Sequence, residues 1–210
     1  MKTDALISAL TADGKKRSPA PHVLITAVAI GTIVSVIALL ATIGVRDDLA
    51  AALLTWRFDV KLVVIALALV IAVCDAFRLI RPTGRSLLAS FNTLPLAVLA
   101  VAMITELVLS PVSTWAPKLI GTNALLCLVV IPLLSLPVLI ALLIAMRHGA
   151  PSSAISAGAS AGRLAACISA FLYGLHCFDD SPLFVAVWYP LAALPVVAAA
   201  AFAGRLTLRW

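Results

Sequence analysis

The groups best equipped for chemistry lie together late in the chain: His176, Cys177, Phe178, Asp179 and Asp180 place an imidazole, a thiol and two carboxylates in five consecutive positions. Three more cysteines, Cys74, Cys127 and Cys167, lie in apolar stretches. Cys127, Cys177 and His176 together offer ligands suited to a soft or borderline metal ion, although their spacing is not that of a structural zinc site. The two thiols alone offer a different chemistry, oxidation to a disulfide. A thiol oxidoreductase is disfavoured, since there is no Cys-x-x-Cys pair and no quinone-site signature. A plainer alternative stands beside both: cysteine is a tolerated small apolar residue in membrane helices, and Asp179, Asp180, Ser181 and Pro182 spell an ordinary turn.

The elements that must position these groups are membrane helices. Of 210 residues 63% are apolar and 11% charged, and the mean hydropathy is +1.17, which no water-soluble surface accommodates. The apolar runs are continuous rather than alternating, so an outer-membrane barrel is excluded and the spanning units are helices. With roughly 20 apolar residues needed per crossing, the chain divides into six, at residues 23–45, 60–80, 87–109, 121–146, 155–175 and 183–203. This predicts an all-α bundle over residues 23–203, a tail at 1–22 and a short C-terminal tail at 204–210. No segment is long enough for a soluble catalytic module, so neither an enzyme nor a resident cofactor is expected.

Charge sets the expected orientation. Lys2, Lys15, Lys16, Arg17, Arg78, Arg81, Arg85, Arg147, Arg205 and Arg209 fall on one face, against Arg46, Arg57, Lys61 and Lys118 on the other. The positive-inside bias makes the first face, with both termini, cytoplasmic. The net charge of +6 follows from this rim and its attraction to anionic lipid, so no direct nucleic-acid partner is implied.

Depth then distinguishes the cysteines. Counting from the turn at residues 147–153, Cys127 lies 20 residues before it and Cys177 24 after it, which at 1.5 Å per residue puts both about 30 to 36 Å away. Adjacent antiparallel helices would bring the two thiols to the outer, oxidising face at similar depth. A bond further requires Cα atoms within about 7 Å. Cys74 and Cys167 lie at depths that are not oxidising.

Few polar groups interrupt the crossings. Asp75 is spaced to pair with Arg78, and Glu106 can reach water or Lys118. Arg163 sits deep, beside the small-residue pair Gly158 and Gly162, and is expected to snorkel or pair within a tightly packed helix. Pro95, Pro132 and Pro137 should bend their helices. No inverted repeat with broken helices points to a transporter, which stays as the rival class. In the tail, Thr3 can cap a short helix with Leu6, Ile7 and Leu10 on one side and Asp4 and Asp13 at its edges. Too short to be stable alone, it is either a topogenic leader or a docking helix.

The opening Met1-Lys2-Thr3-Asp4-Ala5-Leu6-Ile7, the six-helix layout, and above all Leu172-Tyr173-Gly174-Leu175-His176-Cys177, Asp180-Ser181-Pro182 and Val187-Trp188-Tyr189 resemble the NrsF group of bacterial membrane proteins. Those are negative regulators of extracytoplasmic-function sigma factors of the SigF type. The resemblance implies an anti-sigma factor that holds its sigma factor at the inner membrane and releases it on envelope stress. It further implies that the family's paired cysteines are Cys127 and Cys177. The tail, through Asp4, Leu6, Ile7, Leu10 and Asp13, is the expected sigma-factor contact. Arg163 lies outside the motifs that carry the resemblance.

Overall fold

The computed structural model describes residues 3, 8, 20–80, 93–149 and 151–208. Among these the regular structure is helical throughout: α1 (Ala20–Thr42), the short α2 (Leu49–Ala52), α3 (Trp56–Leu79), α4 (Thr93–Leu109), a 3-10 turn (Val112–Thr114), α5 (Trp115–Ile120), α6 (Ala124–Met146), α7 (Ala154–Gly174) and α8 (Pro182–Thr207). The ends follow local chemistry. Ser153 and Ser181 accept from the backbone N–H groups of Ser156 and Leu183 and so cap α7 and α8, and Pro182 opens α8 where its missing N–H costs nothing.

Five helices, α1, α3, α6, α7 and α8, are long and apolar enough to cross a membrane. The third expected crossing is represented by α4, whose 17 residues span about 25 Å at 1.5 Å per residue. The first part of that expected segment lies outside the described residues. An all-helical architecture with long apolar helices is therefore present, and among the described residues five helices are of spanning length. Apolar side chains such as Ile30, Ile37, Leu133, Ile140, Leu194 and Phe202 cover the exterior, where a bilayer replaces water as solvent.

The most enclosed helix is α7, which packs against α8, α3 and α6, while α1 lies along α6. Small residues make this possible. A Cβ on Gly158 would come 2.4 Å from the Ala200 carbonyl oxygen, and one on Gly204 would come 2.6 Å from the Ala154 carbonyl oxygen. Gly162 likewise faces Ala200. At these positions α7 and α8 touch backbone to backbone, the contact that small residues permit in membranes.

The bundle has two ends. The loop end gathers residues 43–55, 110–123 and 175–181; the opposite end holds the start of α1, the end of α3 and the turn between α6 and α7. Each has its own core. Toward the opposite end Leu142, Met146, Ala157 and Leu164 are fully buried. At the loop end a second cluster contains Cys127, Ile131, Tyr173, Cys177, Phe184 and Tyr189.

Candidate functional site

The site grows from the C-terminal end of α7. His176 and Cys177 both donate their backbone N–H to the Tyr173 carbonyl at 2.9 Å, so Cys177 still belongs to the last turn. The chain then straightens through Phe178, Asp179 and Asp180 into the Ser181 cap of α8. Three other elements hold this short stretch.

Asp179 faces the start of α6. Its Oδ2 accepts from the backbone N–H groups of Thr122 at 3.0 Å and Asn123 at 2.7 Å, and from Asn123 Nδ2 at 3.0 Å. Asn123, at the capping position of α6, makes no side-chain cap of its own, so Asp179 supplies a carboxylate to that helix N-terminus from another part of the chain. The approach depends on Gly121. Its φ is +63°, and a Cβ there would come 2.5 Å from the Phe184 ring and 2.8 Å from Asp179 Cγ. Trp188 Nε1 donates to the Leu119 carbonyl at 2.8 Å and fixes the same turn from α8.

Asp180 faces the other way. One oxygen accepts from Arg46 Nη1 at 2.8 Å and the other pairs with Lys61 Nζ. Both cations also donate to the Cys177 carbonyl, Lys61 at 3.0 Å and Arg46 at 3.2 Å. Arg46 in turn forms a two-pronged pair with Asp48 at 2.6 and 2.8 Å, with its guanidinium 4.7 Å from the Phe178 ring centroid and 5.5 Å from that of Phe58. The hydrogen bonds to Asp48, then Asp180, raise the Arg46 guanidinium further above its ordinary value, against the opposing effect of desolvation. The same contact holds the Asp48 carboxyl below its usual range. His176 Nδ1 lies 3.1 Å from the Gly44 carbonyl, and the Arg46 N–H donates to the Leu175 carbonyl at 3.2 Å.

The two cysteines share the loop-end core. Cys127, one turn into α6, and Cys177 are both fully buried free thiols. Tyr173 packs in the same cluster and donates its hydroxyl to the Asn123 carbonyl at 3.4 Å. Burial pushes the Cys177 thiol above its ordinary value, with nearby Lys61 pulling the other way. The two thiols thus share one packing cluster and lie beneath the surface rather than emerging on it.

The metal-ligating set expected from sequence, Cys127, Cys177 and His176, is not assembled. Among the described residues no group of three or more His, Cys, Asp or Glu is arranged to hold a metal ion. The physical reason is that these side chains are engaged elsewhere, His176 with the Gly44 carbonyl, Asp179 with the start of α6 and Asp180 with Arg46 and Lys61. They clamp the loop that carries Cys177 instead of ligating with it.

Sequence reasoning missed the cationic half of this clamp, taking Arg46 and Lys61 only as markers of orientation. The available signal was charge balance: Asp47, Asp48, Asp59, Glu106, Asp179 and Asp180 share the loop end with the four basic residues assigned there. Glu106 shows the same balance, fully buried between Arg57 at 2.8 Å and Lys118 at 2.6 Å, with Ser110 Oγ donating at 3.1 Å. Lys118 was expected and Arg57 was not. Deeper in the bundle Asp75 takes a long-range partner, Arg163 Nη2 on α7, where a local pair with Arg78 was anticipated. Asp4, Leu6, Ile7, Leu10 and Asp13 lie outside the described residues.

A family model described as "Negative regulator of sigma F" matches residues 10–210. The chain is 35% identical over the full length of both proteins to the anti-sigma-F factor NrsF of Caulobacter vibrioides (strain NA1000 / CB15N). It is 31% identical, again over both full lengths, to the probable anti-sigma-F factor NrsF of Azospira oryzae. No solved structure matches. A clamped loop at one end of an apolar helical bundle is thus the setting, in this chain, of the motifs around His176 and Trp188, and with the whole-length match the chain belongs to the NrsF family of negative regulators of sigma F.

Proposed function

We propose that this protein is a membrane-bound anti-sigma factor that sequesters an extracytoplasmic-function sigma factor at the bacterial inner membrane. The loop end faces the periplasm, both termini face the cytoplasm, α4 is the remaining crossing, and Cys127 with Cys177 senses oxidative envelope stress. The observation that carries this reading is the loop-end hub. Contacts from residues 44–46, from α3 and from the start of α6 converge on residues 175–180, around Cys177 and beside Cys127, in a family whose members carry the name of sigma-factor regulators.

A hub of this kind suits a two-state sensor. In the reduced state both thiols pack as small apolar groups, and the clamp keeps water and reagents away from them. An oxidant that removes two electrons and two protons from the pair joins the sulfurs, which changes the α6–α7 packing and biases the bundle toward another arrangement. The tail, through Leu6, Ile7 and Leu10 with Asp4 and Asp13, holds the sigma factor in one arrangement only. A transcriptional reporter for the cognate sigma factor tests this. Loss of the chain should raise the reporter without stress, and Cys127→Ser or Cys177→Ser should abolish induction by a thiol oxidant while the protein still inserts. Unchanged reporter output in the deletion strain overturns the anti-sigma reading; full induction in a serine variant removes the thiol pair from it.

A further inference from the structure

Two polar tethers join α3 to α7, and their spacing on the two helices is the same. Lys61 and Asp75 lie fourteen residues apart on α3; Arg163 and Cys177 lie fourteen residues apart on α7 and its last turn. At one end Lys61 donates to the Cys177 carbonyl and pairs with Asp180; at the other Asp75 pairs with Arg163. For antiparallel helices this places both tethers on one seam in one register, about 21 Å apart. Fourteen residues are also two heptads, the period that keeps a seam on one face of both helices.

Phe58, Lys61, Ile65, Ala72, Asp75 and Leu79 recur at heptad spacing among the buried residues of α3, with Val64, Ile71 and Ala76 buried beside them. Both tethers are costly in this setting. Lys61 and Asp75 have fully buried side chains, and among the described residues Arg163 Nε and Nη1 find no hydrogen-bond partner. An apolar pair would fill the seam at lower desolvation cost. Holding charge there sets register, since a slip of one residue strands each charge in the bundle interior.

We propose that Asp75 and Arg163 are a positioning pair, the distal half of a register lock that couples the Cys177 loop to the far half of the bundle. Coupling is reciprocal: a change at the loop shifts the distal pair, and breaking the distal pair loosens the loop. The proposal rests on the reading of the loop as a sensor for its biological use. Its physical content is separable.

The test uses full-length, detergent-solubilised protein in a Cys74→Ser, Cys167→Ala background, so that N-ethylmaleimide reports only Cys127 and Cys177. These should label slowly in the reference chain, where both thiols are buried. Lys61→Met should label at least tenfold faster by opening the near tether. Arg163→Gln should also label at least tenfold faster, although the substitution lies about 21 Å from the thiol. Arg163→Lys keeps the cation and should stay near the reference rate. Labelling of Arg163→Gln at the reference rate, with helical signal intact, overturns the lock. Should Arg163→Gln fail to fold, Asp75→Asn takes its place and Arg163→Lys must still label slowly; fast labelling of the Lys variant overturns the proposal. A sigma-dependent reporter separates the two ideas. Faster labelling with a reporter indifferent to deletion of the chain leaves the lock standing and removes the anti-sigma reading.

Discussion

At the scale of single residues, the loop-end acids differ sharply in what their loss would cost. Asp180 is anion to both Arg46 and Lys61, and the Lys61 side chain is fully buried. Asp180→Ala leaves Lys61 with the Cys177 carbonyl but no counter-charge, and removing one partner of a buried pair costs about 3 to 5 kcal/mol. Asp48 pairs with the same arginine from an exposed position, so Asp48→Ala should leave the unfolding midpoint close to the parent's. Thermal unfolding in detergent distinguishes them; equal midpoints for the two variants contradict the clamp. Cys177 adds a pH dependence of definite sign. Burial raises its folded-state value above the ordinary 9.0. As pH rises past 9.0 the unfolded chain releases this proton while the folded chain keeps it, so this contribution to stability is present below that pH and lost above it. The reaction with N-ethylmaleimide needs thiolate, so labelling should remain slow at neutral pH and accelerate only under alkaline conditions. A rate already at its plateau at pH 7 would mean that the thiol is not held in this core.

At the scale of elements, the membrane helices were legible because lipid imposes length and apolarity with few exceptions, and long charge-free apolar stretches such as those of α6 and α8 record that constraint directly. The short α2 and α5 left no such record. The small-residue face of α7 was legible as well, as the run from Ala157 to Ala166 shows. The partners of polar residues were not. Asp75 has a plausible local partner in Arg78 by helical spacing, but its partner 88 positions away exists only once α3 and α7 are paired. In the same way His176, Asp179 and Asp180 look like ligands by type, and only the positions of Gly44, Lys61 and Asn123 show that they are spent on other groups. The α7–α8 seam yields a direct prediction. Gly158→Ala places a methyl 2.4 Å from the Ala200 oxygen and 2.9 Å from Gly204 Cα, atoms of the backbone that cannot turn aside. The helices must separate, at an overpacking cost of about 1 to 3 kcal/mol. A lowered unfolding midpoint in detergent is the expected result. An exposed apolar position on the same bundle, such as Leu194→Ala, should change it much less.

At the scale of the whole molecule, charge is partitioned in a way that points to where a partner is held. Of the nine acids, six lie at the loop end, Asp75 is buried against Arg163, and Asp4 and Asp13 belong by sequence to the tail. The opposite end is otherwise basic, a poor match for the DNA-binding surfaces of a sigma factor, which are themselves basic. With Asp75 withdrawn into the seam, Asp4 and Asp13 are the acids left for the cytoplasmic contact proposed above, and the tail's sequence adds Leu6, Ile7 and Leu10. Deleting residues 2–13 should therefore release the sigma factor constitutively, matching the reporter level of a strain lacking the chain, while the membrane abundance of the protein is unchanged. Replacing Asp4 and Asp13 together by Asn should give an intermediate level, because the apolar contact survives and the acidic edge does not. Normal repression by the truncated chain would transfer the contact to the basic rim and require a partner surface rich in acids, an outcome that co-purification with the sigma factor at rising salt would recognise, since a contact built on many ion pairs weakens steeply as salt screens it.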